Sequence, residues 1–324
     1  MNESAKEPTD DMDAKASEQS LLEKLVMATI EEKKAARRSR NMGRGIWLVI
    51  ALLVGWAVFG KGCAGKGGNS VSAHTAVVEI KGEIAAGADA SADNIVSAMR
   101  TAFAEPNAQA VVLLINSPGG SPVQAGIIND EIKRLKLKHK KPVYAVVEES
   151  CASAAYYIAV AADKIYVDKA SIVGSIGVLM DGFGFTGIMD KLGVERRLMT
   201  AGENKGFLDP FSPQTAPHKA YAQAMLNQIH QQFIEAVKNG RGARLKETPE
   251  TFSGLFWSGQ QAVNMGLADE LRSLDGVARD VVKAEEILDY TQRENVAEKL
   301  AKRFGAAVGE GAVKAMRSEA QQIR

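Results

Sequence analysis

Residues 74–278 predict an α/β fold, a largely parallel sheet with flanking helices. Two observations carry this. AVVLLI (Ala110–Ile115) and PVYAVV (Pro142–Val147) are short, unbroken apolar runs, as expected of strands buried on both faces. Longer amphipathic stretches at helical spacing lie between and around them, so strands and helices alternate along the chain.

The elements follow in order. HTAVVEIKGEI reads as a strand and ASADNIVSAMRTAFA as a helix. AVVLLI is the next strand, and SPVQAGIINDEIKRLKLK is an amphipathic helix. PVYAVV is followed by the helix SAAYYIAVAA, the strand KIYVDK, and a loop and strand in SIVGSIGVLM. A long helix is expected from Pro217 to about Asn239. WSGQQAVNMGLADEL reads as a helix, a glycine stop and the start of a short strand. Residues 279–324 are expected to form a charged helical tail, with weak apolar content past Lys302.

The N-terminal side is organised differently. Residues 1–45 form a tail expected on the cytoplasmic side. Its first 20 residues are acidic and polar, and Leu21, Leu22, Leu25, Val26 and Ile30 then share one helical face. That helix is open to two readings, a plain cytoplasmic helix or a partner-binding one. Residues 46–60, IWLVIALLVGWAVFG, carry no charge, with Trp47 and Trp56 near the ends. Snorkelling by Arg44 and Lys61 lengthens the segment enough to span a bilayer. Lys33, Lys34, Arg37, Arg38, Arg40 and Arg44 precede it, whereas only Lys61 and Lys66 follow before Asn69. Positive charge stays inside, so the rest of the chain is expected outside the cytoplasm. Lys61 stands two residues before Cys63, which is poor for a lipoprotein signal, and the segment reads as an uncleaved anchor. Residues 61–73 are a Gly-rich tether.

Composition narrows the function. Lys and Arg number 40 and Asp and Glu 39, a net charge of +1, so no basic excess points to nucleic acid. Cys63 and Cys151 are too few for a disulfide framework or a cysteine-rich zinc site. His74, His139, His218 and His230 lack metal-ligand spacing, and no metal or other cofactor is expected.

Three segments could carry chemistry. In INSPGGSP, Gly119 and Gly120 follow a buried strand, and their backbone could approach a ligand closely or simply make the turn into the next helix. No Gly-Lys-Ser/Thr follows, so this is no phosphate loop. In ESCASAAYYIA, Ser153 opens a helix as either a cap or a nucleophile, beside N–H groups that stabilise developing negative charge. Cys151 has no nearby cationic partner and reads as a small buried residue. In TAGENKGFLDPFSP, Lys205 is either a surface lysine or an amine desolvated among Phe207, Leu208 and Phe211, whose lowered pKa leaves it neutral and able to take a proton from serine. Asp209 would oppose such a shift if its carboxylate lay close.

Taken in order, INSPGGSP, SCASAAYYIAVAADKIYVD, VGSIGVL, AGENKGFLDPF and WSGQQAVNMGLADEL resemble the signal peptide peptidase A (protease IV) family, from about Val77 to Leu274. The resemblance implies a Clp protease/crotonase-like fold and a serine endopeptidase with a Ser–Lys dyad. Carried over by position, Ser153 is the nucleophile and Lys205 the general base. Ser175 steadies the lysine amine, and the N–H groups of Ala154 and of Gly119 or Gly120 meet the oxyanion. The family commonly has Ser-Gly-Gly where this chain has Ser153-Ala154-Ala155, which narrows the backbone freedom there. The implied partners are signal peptides left in the membrane and other apolar unfolded peptides, with a homo-oligomeric assembly. The implied location is a bacterial inner membrane, with the catalytic domain on the periplasmic side. Two rival functions are a crotonase-like acyl-thioester enzyme and a non-catalytic membrane scaffold. An external domain disfavours the first, and the presence of both Ser153 and Lys205 disfavours the second.

Overall fold

A computed structural model describes residues 72–292. The expected anchor at 46–60, the N-terminal tail, most of the tether and the end of the C-terminal tail lie outside the described residues. No helix among the described residues is long and apolar enough to cross a membrane.

The chain alternates as its apolar pattern predicts. Strand β1 is His74–Lys81, helix α1 Ala92–Ala104, β2 Ala108–Ser117, α2 Pro122–His139 and β3 Val143–Ala152. There follow α3 Ala154–Ala159, β4 Lys164–Val167, β5 Ile172–Gly174, α4 Thr186–Leu192 and the long α5 Ala216–Arg241. β6 Phe256–Ser258, α6 Gly259–Asn264, β7 Glu270–Leu271, a helical stretch over 274–282, and β8 Ile287–Asp289 complete it.

The sheet runs β6-β5-β3-β2-β1-β8, with β4 on β3 and β7 on β4. Every pairing is parallel except β5 with β6. In the central strands the side chains alternate between two apolar layers. Val111, Leu113 and Ile115 face the larger core under α1, α2 and α3, and Val112 and Leu114 face a smaller one closed by Val277. Burial on both faces is why these strands read as continuous apolar runs.

β3 is the strand that builds a site. Its first half pairs with β4 and its second half, Ser150–Ala152, pairs with β5. The sheet divides along β3, between Val146 and Ser150, and at the end of the strand the chain turns into α3. Such a crevice beyond the carboxyl ends of parallel strands is where α/β proteins bind ligands.

One expectation is corrected. The helical tail expected from residue 279 holds only in part, because Ile287–Asp289 pairs with Thr75–Val77 as an edge strand. Apolar Ile287 and Leu288 satisfy the open edge of β1, a tertiary demand that local helical pattern does not register.

Candidate active site

Ser153 sits between β3 and α3 with φ 53° and ψ −124°, a conformation that L-residues other than glycine rarely adopt. Its hydroxyl caps no helix N–H, so the capping explanation of a serine at this position fails. The turn is held from both sides. Ser153 N–H donates to the Gly174 carbonyl at 2.8 Å, and Tyr157 N–H donates to the Ser153 carbonyl at 3.0 Å. Ala154 follows as the first helical residue, whose N–H has no intrahelical acceptor.

The glycine turn after β2 packs directly on this serine. Gly119 and Gly120 have φ of 110° and 144°, and a Cβ on Gly119 would lie 2.7 Å from Ser153 Cβ and 3.0 Å from Ala154 N. Gly120 is pressed harder still against the Ile84 backbone, where an added Cβ would lie 2.2 Å from the carbonyl oxygen. Ile84 N–H donates to the Gly119 carbonyl and Ser121 N–H to the Ile84 carbonyl, so the turn is fixed by the 82–91 segment. Gly119 N–H donates to the buried Ser117 hydroxyl at 3.2 Å, which leaves Gly120 as the better placed of the two for a ligand.

Ser175, just past β5, has φ 50° and is clamped by its N–H to the Leu255 carbonyl. Ser153, Ala154, Ser175 and Gly120 together line one cavity of about 530 Å³. Its remaining walls come from Tyr157 on α3, Ile229 and Phe233 on α5, Val178 and Leu179 after β5, and Ser253 and Gly254 before β6. No charged side chain lines it. Tyr157 and Phe233 meet with ring centroids 5.3 Å apart.

Lys205 is not among the side chains that line this cavity. It lies exposed in a turn of the 179–215 arm, where its N–H donates to the Gly202 carbonyl. Phe207 fixes this turn to α5 through edge contacts with His218 and Tyr221. Asp209 has partners of its own, accepting from Ser212 and Arg196. The Ser212 hydrogen bond, with Arg196, holds its carboxyl below the usual carboxylate range. On a single chain the structure therefore brings Ser153, Ser175, Ala154 and the glycines together and leaves Lys205 apart.

Cys151 is fully buried, and burial pushes its thiol well above the ordinary cysteine range, so it is no rival nucleophile. No group of metal-ligating side chains occurs among the described residues. The walls contributed by α5 and by Ser253 and Gly254 were not found from sequence. Only the i, i+4 pair Ile229 and Phe233 on an amphipathic helix could have signalled them.

Comparison with known proteins adds the following. Residues 135–288 match peptidase family S49, and residues 70–173 match the Clp protease family. The chain is 31% identical to slr0021 of Synechocystis sp., named as a candidate protease, over 60% of this chain and 68% of that one. It is 30% identical to Protease 4 of Haemophilus influenzae, over 73% of this chain and 41% of that one. It is also 46% identical to a Na(+)/H(+) antiporter NhaA of Brucella abortus, over 56% of this chain. The chain spans only 25% of that antiporter's length.

Proposed function

The chain belongs to peptidase family S49, the signal peptide peptidase A family, and on that premise we propose a membrane-anchored serine endopeptidase working through Ser153 and Lys205. The observation that carries the reading is Ser153 itself. A serine is held in a glycine-like conformation, its hydroxyl caps nothing, and it lines an uncharged cavity together with Ala154 and Gly120.

A neutral Lys205 amine takes the Ser153 hydroxyl proton as the oxygen attacks a peptide carbonyl. The N–H groups of Ala154 and Gly120 receive the oxyanion, each such donor contributing about 2.7–4 kcal/mol to the transition state. Lys205 then protonates the leaving amine, and water releases the acyl group. Ser175 Oγ steadies the lysine amine in the cavity.

Lys205 reaches this site from a neighbouring copy. Two facts support that reading: Lys205 is exposed on its own chain, and its arm bears exposed Phe183, Leu192 and Met199. The substrates are apolar unfolded peptides, signal peptides left in the membrane first among them. The apolar walls made by Tyr157, Ile229 and Phe233 support this class. The uncharged segment at 46–60 holds the enzyme beside such substrates in a bacterial inner membrane, catalytic domain outward.

The test is complementation. Ser153→Ala and Lys205→Ala chains are each expected to be inactive on a signal-peptide substrate, and co-assembled chains to regain part of the activity. Full activity in either single variant contradicts the dyad. Inactivity of the mixture, with assembly shown by sizing, contradicts a dyad formed across copies.

A further inference from the structure

The turn that joins β5 to the 179–215 arm does two jobs within four residues. Gly174 offers the carbonyl that receives Ser153 N–H, and Ser175 lines the cavity. The turn is also conformationally costly. Gly174 has φ 108° and Ser175 has φ 50°, and Gly177 N–H folds back to the Ser175 carbonyl at 2.9 Å. A conformation of this kind persists only when its surroundings over-determine it.

Three elements hold it. The Leu255 carbonyl accepts Ser175 N–H at 2.8 Å. Gly254 packs so closely that a Cβ on Gly177 would lie 3.0 Å from the Gly254 Cα. The third hold comes from α5, where His230 Nε2 lies 3.0 Å from the Ile176 carbonyl oxygen. A carbonyl oxygen only accepts, so Nε2 carries the proton in this contact. His230 stands between Ile229 and Phe233, both of which line the cavity, yet it does not line the cavity itself. It is the side-chain link from α5 to the centre of this turn.

We propose that His230 is a positioning residue: its Nε2–H, donated to the Ile176 carbonyl, fixes the Gly174–Gly177 turn and so sets both the Ser153 backbone and Ser175 Oγ. The histidine touches no reacting atom and acts only through the turn. This rests on the peptidase reading above for its catalytic consequence, and on the hydrogen bond alone for its structural one.

The experiment compares His230→Leu, which removes the donor, with His230→Gln, whose amide N–H reaches a similar point. Two readouts are taken on the full chain: steady-state hydrolysis of an apolar signal-peptide substrate, and amide hydrogen exchange over residues 172–178. Loss of one such hydrogen bond is expected to lower kcat by up to about tenfold in His230→Leu, with KM within about twofold. Exchange over 172–178 is expected to quicken in the same variant. His230→Gln is expected to restore most of both. Unchanged exchange and kcat in His230→Leu overturns the proposal. So does a His230→Gln variant that is folded yet as impaired as His230→Leu, because packing and not donation would then be responsible. Should His230→Leu fail to fold, the Gln variant decides alone, wild-type-like values supporting the proposal and impaired ones overturning it. A parallel Ser153→Ala chain separates the two readings: if it remains active the peptidase reading fails, while the exchange comparison still decides whether His230 holds the turn.

Discussion

Gly119 and Ser153 pack so closely that a Cβ added to the glycine would lie 2.7 Å from the serine's own Cβ. Two loops that follow different strands thus meet backbone to backbone, and the serine's position is set by a residue that has no side chain. The same added Cβ would meet the Ala152 carbonyl oxygen at 2.8 Å, and Gly119 also holds φ 110°.

Gly119→Ala is therefore expected to hurt both stability and activity. The backbone on either side must move, a cost of about 1–3 kcal/mol of the kind that overpacking brings. Urea denaturation should show the lowered midpoint. Peptide hydrolysis should fall further than the stability change explains, since the N–H groups beside Ser153 are displaced with it.

Ser153→Gly should move the two properties in opposite directions. Glycine adopts φ 53° and ψ −124° with far less strain than serine, so thermal unfolding is expected to shift upward by about 1 kcal/mol equivalent. Hydrolysis is expected to vanish. A variant that is both less stable and inactive would argue against strain at this residue.

The far end of α5 is tied to the sheet by a buried ion pair. Arg241, 1% exposed, donates to both oxygens of Asp269 at 2.8 and 3.0 Å, and also to the Gly266 carbonyl. Asp269→Asn leaves the guanidinium buried without its counter-charge, a loss of about 3–5 kcal/mol. Chemical denaturation at neutral pH measures it directly. Because α5 carries Ile229 and Phe233, the surviving folded fraction should also bind apolar peptides less tightly.

Acid should act through Glu131. Hydrogen bonds from Arg134, with Arg100 alongside, push its carboxyl down to about 2 from an ordinary value of 4.5. The folded state then binds fewer protons than the unfolded state between those values. Its stabilising contribution is complete above pH 4.5 and is lost as pH falls toward about 2. Glu131→Gln should flatten the dependence of the urea midpoint on pH across that window, and an unaltered slope would contradict the assignment.

Much of this fold was legible in the sequence because its strands announce themselves. AVVLLI lies inside β2 and all of PVYAVV but Pro142 inside β3, and the helix expected from Pro217 to about Asn239 is α5, Ala216–Arg241. What escaped were contacts made only in three dimensions. Ile287–Asp289 became a strand because β1 offered it an open edge. Ser253 and Gly254 reached the cavity through a loop that no local pattern marks. Ser153 and the glycines stood out in INSPGGSP and SCASAAYY as small residues just past buried strands, and the family resemblance implied their roles. The strained backbone that distinguishes Ser153 from a helix cap is a feature of the folded structure alone.

Attack of Ser153 on peptide bonds is tested by hydrolysis of an apolar signal-peptide substrate by the assembled wild-type chain beside Ser153→Ala. Cleavage by the wild type and none by the variant is expected, with unchanged folding and assembly. Equal cleavage by both chains, or none by a correctly assembled wild type, would contradict it.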